Sequence, residues 1–179
     1  LNGKTYTVTN NFAGSNMLQY SLNPNTGVIT LNGSNFGVNA ELNESAILNI
    51  RGNNNVITGS DLSDKITVEQ GSNNVINGGK GNDTLIMNSE NNSLNGGEGN
   101  DTITLNASTN QSITGGAGAD TININSDNNT NISSGAGNDV IKVNGAHNNI
   151  NTGEGNNSIT VNKDNNTINS GDGDNKYVI

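Results

Sequence analysis

The chain has 179 residues, of which 29% are apolar and 3% aromatic, with no Trp, one Pro, 24 Gly and 42 Asn, a composition that excludes a wide globular core of large side chains. Its formal net charge of −9 repels phosphate backbones and anionic lipid, so we expect no nucleic-acid partner. The lack of cysteine excludes disulfides, thiol catalysis and zinc–thiolate sites, and no apolar run is long enough for direct membrane insertion.

Residues 1–45 lack the periodicity of the rest of the chain. Lys4–Asn10 has the composition of a strand, and two further strands flank a turn at Asn23–Gly27. Ile29 and Leu31 lie one repeat length before the next apolar pair, so coils without the loop motif described below can begin here. We expect these residues to form an N-terminal β cap, or the end of a preceding β domain, that covers the open end of a stack.

From residue 46 onward a nonapeptide motif recurs every 18 or 19 residues. Full copies read GGKGNDTLI from Gly78, GGEGNDTIT from Gly96 and GGAGADTIN from Gly115, and SGAGNDVIK follows from Ser134. The sixth position of successive copies, including the degenerate flanking ones, holds Asp64, Asp83, Asp101, Asp120, Asp139, Asn157 and Asn175. Any fold that stacks these repeats therefore brings the aspartates into a row.

Three columns of apolar residues share the same period, and their first members are Ile57, Ile66 and Val68. Two of the columns are two residues apart, which is strand spacing, and the third precedes the glycine motif. A period of 18 or 19 residues is too short for a strand and a helix, which together need about 30 residues. We therefore predict an all-β parallel β-solenoid over residues 46–179, with two short strands per coil.

The glycine-rich loop has a constant length, whereas the opposite, Asn-rich turn varies. Ile76 and Asp83 lie seven residues apart, as do Leu94 and Asp101, and all variation in repeat length falls after the aspartate. A loop that only reverses the chain tolerates insertion at little free-energy cost. A loop whose carbonyls must meet a metal ion does not, so the glycine loop is the candidate binding site.

These motifs resemble the RTX (repeats-in-toxin) calcium-binding nonapeptide G-G-x-G-x-D-x-U-x over roughly residues 59–178. The resemblance implies a right-handed parallel β-roll in which the first six residues of each nonapeptide turn and bind Ca²⁺ and the last three form a strand. The ligands implied are the carboxylates of Asp64, Asp83, Asp101, Asp120 and Asp139 and the backbone carbonyls of Gly79, Gly81, Gly97, Gly99, Gly116, Gly118, Gly135 and Gly137.

Elementary electrostatics favours the same ion. Ca²⁺ prefers six to eight oxygen ligands, and aspartates about 4.8 Å apart repel by roughly 0.9 kcal/mol per pair in water, and by more at lower dielectric. Ions between the loops would neutralise the row, so that binding energy becomes folding energy. We expect four sites with two carboxylates, at the pairs 64/83, 83/101, 101/120 and 120/139, and a weaker fifth at 139/157. The pair 157/175 has no carboxylate, and we expect it to be empty or filled by asparagine hydrogen bonds.

Other interpretations of these residues are structural. Asp and Asn also occupy turns because their side chains bond the local backbone, and the Asn-rich turns favour stacked amide ladders or left-handed positions. His147, which stands alone in such a turn, is expected to be exposed and without a role. An enzyme of this architecture would need clustered acids or bases in a cleft, usually with aromatic residues, so we expect no catalytic activity.

The alternate turns depart from the usual β-roll because they lack a second glycine motif, so calcium should line one edge only. This pattern is also similar to the calcium-bound solenoid of a bacterial ice-binding adhesin family, in which a threonine row beside the motif's glycines builds the ice-binding plane. The corresponding positions here are Lys80, Glu98, Ala117, Ala136, Glu154 and Asp172. Such a mixed row does not form an ice template.

We expect a calcium-dependent structural module of a secreted, extracellular bacterial surface protein, such as an S-layer subunit or RTX adhesin, with other copies of itself as partners in a surface array. The resemblance implies type I secretion and folding at the millimolar calcium outside the cell. The alternatives are an RTX tail that aids secretion and folding of an attached toxin or hydrolase domain, and an ice- or glycan-binding solenoid.

Overall fold

The computed structural model describes residues 6–10, 19–23, 29–40, 45–107, 109–128 and 131–179. Within them the chain is all β, and its coils stack as a parallel solenoid of about seven turns, which confirms the predicted fold class. The described segments contain no helix with the length and apolarity needed to cross a membrane. Lys4 and most of the predicted turn at Asn23–Gly27 lie outside the described residues.

The described strands are short, and all of them have three to six residues. In chain order they are β1 (Tyr6–Asn10), β2 (Gln19–Leu22), β3 (Ile29–Asn32), β4 (Phe36–Ala40), β5 (Ile47–Arg51), β6 (Val56–Thr58), β7 (Lys65–Gln70), β8 (Val75–Lys80), β9 (Thr84–Met87), β10 (Ser93–Glu98), β11 (Thr102–Leu105), β12 (Ser112–Ala117), β13 (Thr121–Ile124), β14 (Asn131–Ala136), β15 (Val140–Val143), β16 (Asn149–Asn151), β17 (Ser158–Val161), β18 (Thr167–Asn169) and β19 (Lys176–Val178).

From β3 onward the strands alternate between two sheets that face each other across the core. One sheet has the order β1-β4-β6-β8-β10-β12-β14-β16-β18, and the other has the order β19-β17-β15-β13-β11-β9-β7-β5-β3-β2. Pairing is parallel from β3 onward, whereas β1 pairs antiparallel with β4 and β2 pairs antiparallel with β3. Parallel stacking thus already begins at Ile29, and the division of the chain into domains at residue 45 stays a prediction.

The core is a thin aliphatic layer between the sheets. Side chains alternate along each strand, so that in β9 Leu85 and Met87 are buried and Thr84 and Ile86 are half-buried. The three predicted columns are buried along the stack and are confirmed as its core. At the far end Tyr177 pairs in register with Ile159, but its side chain is 42% exposed, and Ile179 is 97% exposed.

The strands of the first sheet run further into the glycine motif than the resemblance implies. Gly97 in β10 pairs with Gly79 in β8 and with Gly116 in β12, so main-chain pairing continues through the second residue of the motif. In the full copies the turn therefore comprises only the fourth to sixth positions. The expectation that all six residues turn is wrong for these copies, because the second and third positions pair with the same positions of neighbouring strands.

The Asn-rich turns on the opposite edge contain two stacked columns. The first consists of residues with φ between 51° and 67°, namely Asn35, Asn54, Asn73, Asn91, Asn110, Asn128, His147 and Asn165. In the turns of Asn54, Asn73, Asn91, Asn110, His147 and Asn165 the next residue is an Asn or Gln that belongs to an interior amide ladder. For example, the N–H of Asn55 donates to Oδ1 of Asn74, and the Asn74 amide donates to the carbonyl of Gly52. This confirms both structural interpretations of these turns, and His147 is exposed as expected.

Candidate metal site along the aspartate row

The five aspartates of the motif lie in one buried row along the glycine-loop edge. Each is at most 3% exposed and directly precedes a strand of the second sheet. Because Thr84 pairs with Thr102 and Thr102 pairs with Thr121, the preceding aspartates are held in matching positions of successive coils. The structure therefore brings the predicted carboxylates together, and their role as ligands stays a prediction.

One oxygen of each carboxylate links its loop to the loop before it. The N–H of Asp83 donates to Oδ1 of Asp101 at 2.7 Å, and the N–H of Asp101 donates to Oδ1 of Asp120 at 2.8 Å. The same bond recurs from Ala46 to Asp64, from Asp64 to Asp83, from Asp120 to Asp139, from Asp139 to Asn157 and from Asn157 to Asn175. The sixth position is thus a structural acceptor in every coil, whether it is Asp or Asn.

The second oxygen of four of these carboxylates is unsatisfied. Among the described residues, Oδ2 of Asp83, Asp101, Asp120 and Asp139 is buried and has no hydrogen-bond partner. We refer to these four atoms as the inner oxygens. Buried polar atoms without a partner are rare in folded proteins and costly in free energy, so each of them needs an explanation, such as an ion.

The inner oxygens face carbonyl oxygens rather than donors. A Cβ built on Gly78 would overlap both the inner oxygen of Asp83 and the carbonyl oxygen of Gly96 in the next loop. A Cβ on Gly96 would likewise overlap the inner oxygen of Asp101 and the carbonyl oxygen of Gly115. A carboxylate oxygen and a carbonyl oxygen thus both lie close to the position that a Cβ would occupy on the first glycine of the motif. Two neighbouring acceptor oxygens of this kind can bind a cation.

The other glycines of the loop stack directly on one another. Gly81 and Gly99 have φ of 95° and 125°, and a Cβ on Gly99 would overlap the carbonyl oxygen of Gly81. The predicted carbonyl ligands from the second and fourth positions thus lie in the same loops as the aspartates. Some carbonyls of the second position also take part in the hydrogen bonds between coils. Those of Ser60 and Gly135 accept main-chain N–H groups of the next coil.

Asp64 differs from the rest of the row. Its Oδ2 accepts the main-chain N–H of Ser60 at 2.6 Å, and the Ser60 hydroxyl lies 3.0 and 3.1 Å from its two carboxylate oxygens. Ser60 occupies the second motif position, where the full copies have glycine. Ser60 was not predicted as a hydrogen-bond partner of Asp64, although the sequence shows serine there in place of the motif's second glycine.

The row is electrostatically unfavourable when only the protein is considered. The pKa of Asp83 is raised to about 7, chiefly by burial, with the hydrogen bond from Asp64 lowering it and the neighbouring charges of Asp101 and Asp64 raising it. Burial likewise raises the pKa of Asp120 to about 6, with contributions from Asp101 and Asp139, and it raises the pKa of Asp101. The fold therefore favours a proton or another cation at these carboxylates.

Where asparagine takes the place of aspartate, the same space holds a donor. The Asn157 amide nitrogen donates to the carbonyls of Thr152 at 3.0 Å and Gly155 at 3.2 Å. The Asn175 amide nitrogen lies 3.3 Å from the carbonyls of both Gly171 and Gly173. Asparagine hydrogen bonds are thus present in this pair of loops, which is one of the two outcomes expected for it.

The donor set fits a hard cation held partly by the main chain. In the part of the chain that the structure describes, no three His, Cys, Asp or Glu side chains converge on one point. An ion in the row would thus combine an inner oxygen with carbonyl oxygens of the glycine loops, the all-oxygen chemistry that Ca²⁺ prefers. The buried inner oxygens and the space at Gly78 and Gly96 are consistent with that ion.

Comparison with protein families supports this interpretation. A model described as the RTX calcium-binding nonapeptide repeat (4 copies) matches residues 51–85, 68–103, 87–111, 112–130, 124–159 and 143–177. The matched segments run without a gap from residue 51 to residue 177, which is well over half of the chain. Comparisons with curated proteins and with solved structures found no match.

Proposed function

Because the chain belongs to the family of RTX calcium-binding nonapeptide repeats, we propose that it is a calcium-dependent structural module whose coils are held together by Ca²⁺ along the aspartate row. The observation that carries this proposal is the set of four inner oxygens, all buried and without a hydrogen-bond partner among the described residues, of which those of Asp83, Asp101 and Asp120 lie beside the first glycine of their motif. A bound divalent ion supplies positive charge at these acceptors, which the protein's own groups leave unsatisfied.

The proposed ligands are those of the sequence analysis, with one refinement. The carboxylates of Asp83, Asp101, Asp120 and Asp139 supply the inner oxygens, and carbonyls of the adjacent glycine loops complete the oxygen shell. Asp64 contributes less, because the main-chain N–H of Ser60 donates to its Oδ2 and the Ser60 hydroxyl lies within hydrogen-bond distance of its Oδ1. We propose about four strong sites and a weaker fifth along this single edge.

Hydrogen bonds and glycines of the chain itself position these ligands in the folded stack. The N–H of each aspartate donates to Oδ1 of the next one, which fixes the carboxylate plane and leaves Oδ2 directed into the loop. In the loops of Asp83, Asp101 and Asp120, glycine at the first motif position leaves the space in which that oxygen lies. Calcium binding is therefore linked to the stacking of the coils and stabilises the folded state by mass action.

We propose that the module belongs to a secreted bacterial surface protein, such as an S-layer subunit or an adhesin, and that it acts structurally rather than as an enzyme. Extracellular calcium modules bind with Kd values of about 10⁻⁴ to 10⁻³ M. Affinity in this range would leave the loops without calcium inside the cell and occupied outside it. Folding would then follow export, because the uncompensated row opposes stacking before export.

The proposal is tested by isothermal titration calorimetry of the purified chain with CaCl₂, with MgCl₂ as the ion control. We expect saturable calcium binding with about four ions per chain, and a loss of about two of them in the double variant Asp101→Asn/Asp120→Asn. The control is Asp127→Asn, which makes one such exchange at an exposed aspartate of the opposite edge and should leave the stoichiometry unchanged. Absence of calcium binding, or equal stoichiometry in all three proteins, would overturn the proposal.

A further inference from the structure

We infer that asparagine at the sixth motif position is a built-in substitute for the bound cation, so that the loops of Asn157 and Asn175 close without calcium while the loops of Asp83 to Asp139 require it. This inference rests on the proposed function, since it assigns the metal-dependent and metal-independent coils of the same edge. It makes one atom per loop, Oδ2 or Nδ2, the determinant of calcium dependence.

The first argument is the position of the amide nitrogen. In the Asn157 loop, Nδ2 donates to carbonyls of the first and fourth motif positions, Thr152 and Gly155. In the Asp83 loop the first motif position is Gly78, and the inner oxygen lies at the space beside it. A neutral donor thus occupies in one coil the place that an unsatisfied acceptor occupies in the other.

The second argument is that the rest of the side chain has the same function in both cases. Oδ1 of Asn157 accepts the N–H of Asp139 at 2.9 Å, just as Oδ1 of Asp139 accepts the N–H of Asp120 at 2.9 Å. Exchanging Asp for Asn therefore preserves the bond between coils. The exchange alters only the charge and the second polar atom, which changes from an acceptor to a donor of two hydrogens.

The third argument is electrostatic. Each buried aspartate adds a negative charge to a row in which neighbouring charges already oppose ionisation. An asparagine adds none, and its amide hydrogens satisfy carbonyls that a cation would otherwise satisfy. The row thus changes along the chain from four loops with inner oxygens to two loops closed by their own amides.

The inference is tested by replacing all four inner oxygens in the variant Asp83→Asn/Asp101→Asn/Asp120→Asn/Asp139→Asn. In excess EGTA we expect this variant to show a stronger β-sheet circular dichroism signal and a higher midpoint of thermal unfolding than the wild type, with little response to added calcium. The matched control replaces the same four residues with Ala, which removes the Oδ1 acceptor as well, and should be less stable than the asparagine variant in EGTA.

The reverse exchange, Asn157→Asp, keeps the test decisive if the quadruple variant does not fold. We expect Asn157→Asp to lower the unfolding midpoint in EGTA and to bind one more calcium ion than the wild type. A quadruple asparagine variant that is no more stable in EGTA than the alanine control, or an Asn157→Asp variant as stable in EGTA as the wild type, would overturn the inference. A wild type that binds no calcium would instead refute the proposed function, because the comparison in EGTA involves no ion.

Discussion

The main-chain N–H of Asp83 donates a 2.7 Å hydrogen bond to Oδ1 of Asp101, which lies 18 residues later and one coil further along the stack. This bond gives the two oxygens of Asp101 different functions. Oδ1 holds the neighbouring loop in register, and Oδ2 is left buried beside the carbonyl of Gly115. The aspartate row is therefore part of the scaffold as well as the candidate ion site.

The variant Asp101→Ala tests this dual role. It leaves the buried N–H of Asp83 without its acceptor, which costs about 1–3 kcal/mol, and in the presence of calcium it also removes an ion ligand. We expect the loss in the free energy of unfolding, measured by urea denaturation, to be larger in CaCl₂ than in EGTA. The control Asp127→Ala removes an exposed acceptor for the N–H of Ala146, and its loss should be smaller and the same in both buffers.

Much of this architecture is predictable because every coil repeats the same constraints. The spacing of Ile66, Leu85 and Ile103 identifies a buried column, since no single repeat can bury its own apolar residues. The invariant distance from Ile76 to Asp83 likewise identifies the loop that cannot change length. Periodicity alone thus leads to the solenoid, the row and the edge on which the row lies.

The atomic details of the site are not predictable from periodicity. Which oxygen of Asp101 bonds the neighbouring coil depends on the backbone direction at the end of the loop, which the repeat does not specify. The bond from Ser60 to Asp64 depends on a single departure from the glycine column. The antiparallel pairing of β1 with β4 joins segments that share no repeat, so no periodic signal marks it.

The glycine at the fourth motif position should be irreplaceable for steric reasons. Gly99 has φ of 125°, and a Cβ there would overlap the carbonyl oxygen of Gly81. We expect Gly99→Ala to lower the free energy of unfolding in calcium by more than about 2 kcal/mol, because it combines an unfavourable φ with a clash against backbone. Glu98→Ala, at the exposed neighbouring position, is the control, and equal stabilities of the two variants would contradict the stacked-glycine geometry.

The raised pKa values predict opposite effects of pH with and without calcium. The pKa values of Asp83 and Asp120 rise to about 7 and about 6 in the folded state, so that state binds more protons than the unfolded chain between about pH 4 and pH 7. The contribution of these groups to stability is therefore fully present below about pH 4 and is lost as the pH rises through about 6 to 7.

Circular dichroism at a series of pH values measures this effect. In calcium-free buffer we expect the β-sheet signal and the unfolding midpoint to increase as the pH falls from about 7 to about 5. In saturating CaCl₂ we expect the midpoint to fall over the same range, because protons compete with the ion for the carboxylates. Stability that falls on acidification in both buffers would show that these aspartates are not destabilising in the absence of an ion.

His147 provides a test on the opposite edge of the stack. It has φ of 60° at a position that asparagine fills in seven other turns among the described residues. Asparagine tolerates the left-handed region better than other side chains with a Cβ, so we expect His147→Asn to stabilise the fold by up to about 1 kcal/mol. This corresponds to about 2–4 °C in the midpoint of thermal unfolding for a chain of this size.

The effect of His147→Asn should be independent of calcium, because the residue lies on the edge without the aspartate row. Thermal unfolding in EGTA and in CaCl₂ should therefore shift in the same direction and by similar amounts. The control His147→Ala removes the imidazole while retaining the unfavourable φ, and it should give no gain. A stabilisation that appears only with calcium would contradict the separation of the two edges.

The most direct test of the central claim is far-ultraviolet circular dichroism of the wild-type chain during thermal unfolding, recorded in excess EGTA and again after calcium is restored in excess. Because the four inner oxygens lack a compensating positive charge unless an ion is present, we predict a weaker β-sheet signal and a lower unfolding midpoint in EGTA. Addition of calcium should restore a strong signal and raise the midpoint. An undiminished β-sheet signal in EGTA, with the same unfolding midpoint as in calcium, would contradict the account.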